Sequence, residues 1–151
     1  MNMMKAERDF EEFIELLNKH KVKYMIVGAY AFALYAKPRN TGDLDIFIER
    51  SDENADLMVR VLTEFGLKSL EISKNDFIAE GRIIQLGISP VRIDIMNIID
   101  GVSFSEALNR IEKVKFGDSI ANFISKADLI KNKLSTNRLK DKADAEELQQ
   151  D

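Results

Sequence analysis

Cysteine is absent from the sequence, and histidine occurs once, as His20. Without thiols there are no disulfides, thiolate zinc sites, iron–sulfur clusters or cysteine nucleophiles. A single imidazole also removes most histidine-based metal and triad chemistry. Tryptophan is missing, and there are only 2 prolines and 7 glycines among 151 residues, 45% of which are hydrophobic. That composition lies in the globular range and far from disordered or fibrous chains. No stretch approaches the ~20 apolar residues of a membrane-spanning helix, and residues 1–12 lack the apolar core of a signal peptide, so a cytoplasmic protein without membrane contact is expected. The charges, 22 Lys+Arg against 26 Asp+Glu for a net −4, favour solubility and leave no broad nucleic-acid footprint. What remains for chemistry is carboxylates, on a chain whose length suits a single domain spanning residues 1–151.

Hydrophobic periodicity divides the chain into alternating elements. Phe10, Phe13, Ile14 and Leu17 recur at helical spacing and predict a first helix covering a sheet, with His20 at its end as a helix-dipole cap and Met1, Met3 and Met4 as a frayed terminus. Residues 22–27 read as a strand ending at Gly28, followed by a small-residue helix over 29–36 that Lys37-Pro38 closes. Residues 43–48 read as a second strand, in which Phe47 is core, and Ser51 caps a helix running to about Phe65, with Leu57, Val61 and Leu62 inward. Residues 67–72 are read as a further strand, and 82–88 with 91–95 as an antiparallel hairpin around Ser89-Pro90. A short helix over 103–109, a strand over 112–116, a helix from Ser125 to Leu134 and an amphipathic helix over 139–150 complete the pattern, the last two forming a C-terminal helical segment of about 125–150. The expected class is α/β (α+β), a mixed sheet with helices packed around it.

Within an apolar strand, Asp43 and Asp45 stand two residues apart, where strand periodicity puts them on one face. Desolvating two like charges so close together is costly unless cations or donors compensate. A divalent metal is one compensation, since carboxylate oxygens suit Mg²⁺ or Mn²⁺. Asp94 also alternates with apolar residues, sharing a face with Arg92, and three carboxylates meet if its strand lies beside residues 43–48. The bland alternative is that Asp43 caps a turn, Asp45 faces solvent, and Asp94 pairs with Arg92 or Arg39. Gly28 weighs against it, because glycine at a strand-to-helix turn permits close backbone approach and opens a helix whose amides can hold phosphate.

The stretch Val27-Gly28-Ala29-Tyr30-Ala31 followed by Pro38-Arg39-Asn40-Thr41-Gly42-Asp43-Leu44-Asp45-Ile46 resembles the nucleotidyltransferase superfamily typified by DNA polymerase β, and most closely its small bacterial and archaeal members related to AbiEii-type toxins. Asp43, Asp45 and Asp94 fall in order on that pattern, and residues 124–130 with Lys133, Arg138, Lys140, Asp141 and Asp144 resemble its C-terminal segment. The resemblance implies a nucleotidyltransferase fold and a metal-dependent transfer of a nucleoside monophosphate from an NTP such as ATP to a hydroxyl on RNA or tRNA, a protein or a small molecule. Asp43, Asp45 and Asp94 would be the catalytic and metal-holding residues, with Mg²⁺ or Mn²⁺ between them. Gly28, Ala29, Tyr30, Arg39, Thr41, Lys133, Arg138 and Lys140 would form the nucleotide site. Ala29 stands where the superfamily usually has a second glycine or a serine, which removes a phosphate-binding hydroxyl but keeps the amide. A partner protein, as in a toxin–antitoxin-like pair, is also implied.

Each of these side chains has a structural alternative. Arg39 would equally neutralise the carboxylates, the basic residues near 133–140 would be a solvated helix face, and Tyr30, like Phe10 and Phe13, would be core rather than a base-stacking platform. Two other functions stay open: a catalytically degenerate module that binds nucleotide or a partner, and a structural domain with a ligand-free acidic cluster.

Overall fold

The computed structural model describes residues 7–39, 42–66, 71–88 and 91–150. The described elements run α1 (Arg8–Lys19), β1 (Tyr24–Val27), α2 (Gly28–Tyr35), β2 (Leu44–Ile48), α3 (Asp52–Glu64), α4 (Lys74–Ile78), β3 (Ile84–Ile88), β4 (Val91–Met96), α5 (Phe104–Ala107), β5 (Glu112–Phe116), β6 (Ser119–Phe123), α6 (Lys126–Leu134) and α7 (Leu139–Leu148). A 3₁₀ turn, Leu108–Arg110, extends α5. None of these helices is long and apolar enough to cross a membrane.

The strands form one mixed sheet in the order β3-β4-β2-β1-β6-β5. β1 is buried at every residue, Tyr24 to Val27, as a strand covered on both faces must be, and it lies antiparallel to β2 and parallel to β6. β2 runs parallel to β4, which turns back antiparallel onto β3. Phe10, Phe13, Ile14 and Leu17 of α1 are buried and pack the helix on β6 and α3, as its periodicity predicts. His20 occupies the C-cap of α1, with Nε2 3.6 Å from Glu64 Oε2. Ser51 and Ser125 cap α3 and α6 by accepting from the amides of Asn54 and Asp128. In α3, Val61 and Leu62 are buried and Leu57 is half-buried, while Met58 takes a fully buried position.

The strand expected over 67–72 falls mostly outside the described residues; 71–73 have no regular structure, and the short helix α4 follows, opened by a capping box between Ser73 and Asp76. β6 has no counterpart in the sequence reading, although Gly117-Asp118 is a two-residue hairpin signal and Gly117 adopts the left-handed φ of +63° that such a turn uses. The face that α7 buries also differs from the expected apolar stripe: Asp141 and Asp144 lie inward beside Ala145 and Leu148, while Leu139 is 83% exposed. This charged face turns α6 and α7 from a generic cover into part of a site.

Candidate functional site

The site begins where β1 ends. Gly28 has φ +69°, and a Cβ there would lie 2.1 Å from Asp45 Oδ2, so only glycine lets the strand-to-helix turn pass this carboxylate. Antiparallel register sets Val27 opposite Asp45, and parallel register sets Asp45 beside Asp94. Neighbouring strands thereby carry the two carboxylates side by side, as the sequence reading required. Asp43 immediately precedes β2 rather than lying within it.

Arg92, two residues before Asp94 on β4, ties the group together. Its Nε and Nη2 donate to Asp94 Oδ1 and Oδ2 at 2.9 and 3.1 Å, and Nη2 lies 2.7 Å from Asp43 Oδ2. This fork offsets part of the charge of Asp43 and Asp94 and realises the arginine pairing that the sequence left open. No hydrogen bond or ion pair from the described side chains reaches the Asp45 carboxylate. Burial, followed by the charges of Asp94 and Asp43, pushes its carboxyl up to about 7 against the opposing pull of Arg92 and Lys133.

A second cluster borders the first. Lys133 Nζ, at the end of α6, lies 3.3 Å from Asp141 and 3.1 Å from Asp144 on α7. Arg39 Nη2 donates to Asp144 Oδ1 at 2.9 Å, with its guanidinium 3.6 Å above the Phe32 ring. Arg138 Nε and Thr136 Oγ1 donate to Asp141 Oδ2, each at 2.8 Å. Burial alone would push Asp141 and Asp144 up, but the bonds from Thr136, Arg39 and Lys133 and the cationic charges hold both below the usual carboxylate range. Lys133, whose side chain is 12% exposed, is therefore not on a solvated helix face.

Of the expected nucleotide-site residues, the structure thus joins Gly28, Arg39, Lys133 and Arg138 to one of the two carboxylate groups. Ala29 is half-buried in the first turn of α2, Lys140 is exposed on α7, and Thr41 lies outside the described residues. Tyr30 packs edge-on against Phe10 and Phe116, at 5.9 and 5.8 Å between ring centroids, so its ring belongs to the core. Sequence reasoning did not single out Asp141 and Asp144 as buried acceptors. Their spacing of three residues on one helix face was the signal.

Among the described residues, no group of three or more Asp, Glu or His side chains is spaced to hold a metal ion. The donor chemistry suits a different arrangement. Mg²⁺ is commonly held by one or two carboxylates together with substrate phosphates rather than by an all-protein cage. Asp45, whose carboxylate has no direct cationic partner among the described residues, fits that role.

Gly28→Ala tests the local geometry. The left-handed backbone and the displaced Asp45 carboxylate are expected to lower stability by about 1–3 kcal/mol in urea unfolding. A loss too small to measure would mean that Asp45 is not held against the turn.

No family model matches the sequence, nor does any curated protein. Among solved structures the chain is similar to the crystal structure of the lincosamide antibiotic adenylyltransferase LnuA with lincomycin bound, with a TM-score of 0.54 over 97% of this chain and 98% of that one, at 14% sequence identity. The likeness is one of fold, shared over nearly the whole of both chains.

Proposed function

We propose that the chain is a metal-dependent nucleotidyltransferase, moving a nucleoside monophosphate from an NTP to an acceptor hydroxyl with release of pyrophosphate. The observation that carries this reading is the pairing of Asp45 with Asp94 on adjacent parallel strands, directly beside the Gly28 turn, on a fold shared with an adenylyltransferase. Asp43, Asp45 and Asp94 would hold Mg²⁺ or Mn²⁺, which when bound neutralises triphosphate charge and polarises the α-phosphorus. Arg39, Lys133 and Arg138, with Lys140 at the start of α7, supply positive charge to draw in a triphosphate. The amides of Gly28 and Ala29 open α2 toward it, and Thr41 precedes the acidic strand. Asp94 would accept the proton of the attacking hydroxyl, whose oxygen bonds to the α-phosphorus as the bond to pyrophosphate breaks. Positioning and charge neutralisation suffice for such a transfer, consistent with a chain so poor in nucleophiles.

ATP is the first nucleotide to test. Small hydroxylated molecules are the first acceptor class, since the similar structure is named for an antibiotic adenylyltransferase; RNA, tRNA and protein hydroxyls follow. The AbiEii resemblance adds a partner protein in a toxin–antitoxin-like pair and a cytoplasmic setting. A second reading, a degenerate module that binds nucleotide or a partner without turnover, is favoured by Ala29 and by the hold of Arg92 on two of the three carboxylates.

Thermal melting with each NTP, with and without Mg²⁺, separates the readings. At a hundredfold excess over Kd, ligand adds about 2.7 kcal/mol to the native state, a rise of roughly 5–10 °C for a domain of this size. A rise that needs nucleotide and metal together supports a nucleotide site, and transfer of label from α-labelled NTP to an acceptor, with release of pyrophosphate, then distinguishes the enzyme from the module. No rise at millimolar nucleotide overturns the enzyme and leaves the module that binds a partner.

A further inference from the structure

Arg92 stands where a metal-holding acidic site is least expected to keep a permanent cation. Its guanidinium makes three contacts within 3.1 Å, all with carboxylates, and consumes the acceptor capacity of Asp43 and Asp94 that faces it. The side chain is 30% exposed. Directly across from Arg92 on β3 stands Gly87, which carries no side chain. Gly87 is itself constrained to glycine, with φ +83° and the position of a Cβ 2.4 Å from the Val91 carbonyl oxygen. A long, flexible side chain thus lies against the carboxylates and beside a residue that has no side chain of its own.

We propose that Arg92 is a tethered cation that competes with divalent metal for Asp43 and Asp94, and swings toward Gly87 when a metal–triphosphate complex enters. This rests on the nucleotidyltransferase reading for the identity of the incoming complex. Free metal, bringing two charges and a tightly held water shell, meets carboxylates already engaged by a tethered cation. A metal on a triphosphate also brings phosphate oxygens, which offer the displaced guanidinium a new anionic partner. Arg92 is on this account a positioning residue whose two states set the order of binding: nucleotide and metal together, and metal alone poorly.

The test uses the full chain and Mn²⁺ alone, with bound and free ion separated by the electron paramagnetic resonance of free Mn²⁺. Arg92→Gln is expected to bind Mn²⁺ at least tenfold more tightly than wild type, and Arg92→Gln/Asp94→Asn to lose that gain. Arg92→Lys keeps a charge but not the fork, and is expected to fall between; it serves in place of Arg92→Gln should that variant not fold. Equal or weaker Mn²⁺ binding by folded Arg92→Gln, or by Arg92→Lys in its place, overturns the proposal. The nucleotidyltransferase reading fails separately, if wild type shows no stabilisation by NTP with Mg²⁺ while the Mn²⁺ affinities still change as expected.

Discussion

Asp45→Asn is expected to raise the stability of the ligand-free protein at pH 8 by about 2–4 kcal/mol, or roughly 5–10 °C in Tm, and to do little at pH 4. In the unfolded chain this carboxyl titrates near 3.9, as an ordinary aspartate does. In the fold, burial and then the charges of Asp94 and Asp43 carry it to about 7. The folded protein therefore holds this proton more tightly than the unfolded chain does. The stability that the protonated form contributes is fully present below about pH 4 and is lost as pH rises through about 7, because ionisation is then harder in the native state. An amide of the same shape avoids that loss. The same substitution is expected to abolish any stabilisation by NTP with Mg²⁺, so one variant would be more stable empty and unresponsive when ligand is added. Thermal melts from pH 4 to 8, with and without nucleotide and metal, read both effects. A variant that melts at or below wild type at pH 8 would show that Asp45 is not held under repulsion.

Removal of Lys133 acts in the opposite sense. Lys133→Met is expected to cost about 3 kcal/mol at pH 7, because it takes the cation from between two buried carboxylates and leaves them partly uncompensated. Arg39, Arg138 and Thr136 still reach Asp144 and Asp141, which limits the loss. Both carboxyls are held below their ordinary range, so the stability they contribute is present above about pH 4 and disappears as pH falls through their lowered values. The difference between Lys133→Met and wild type should accordingly shrink toward pH 3, where the carboxylates become protonated in both proteins. Denaturant unfolding at pH 7 and pH 3 measures this, and an equal loss at both would assign Lys133 a packing role instead. The two clusters bound the ligand-free protein on opposite sides, with Asp141 and Asp144 weakening it in acid and Asp45 weakening it toward neutrality.

How legible this arrangement was in the sequence depended on whether the signal was local. The helical spacing of Phe10, Phe13, Ile14 and Leu17 has one physical solution, and α1 takes it. Gly28 was readable because a strand-to-helix turn beside a carboxylate has room for no other residue. The hairpin of β3 and β4 and the caps at Ser51 and Ser125 follow from turn and cap chemistry over a few residues. β6 had a local signal in the Gly117-Asp118 turn that was passed over, whereas its place beside β1, 98 residues away between Asn122 and Tyr24, has no local pattern to announce it. The carboxylates Asp43, Asp45 and Asp94 stood out because charge inside an apolar run is conspicuous. Asp141 and Asp144 did not, since a helix rich in Asp, Glu and Lys looks like a solvated surface until a lysine from α6 is placed over it. Burial of charge is decided by what docks on top, and that information lies elsewhere in the chain.

The bond between Arg39 and Asp144 spans 105 residues and ties the approach to β2 to α7. During synthesis, at about 5–20 residues per second, the segment carrying Asp43, Asp45 and Asp94 leaves the ribosome seconds before α7 does. Until then Arg39 and Lys133 lack their buried partners on α7, and the basic border of the site has no fixed geometry. A nascent chain can thus carry its acidic row before the ion pairs of Arg39 and Lys133 with α7 can form.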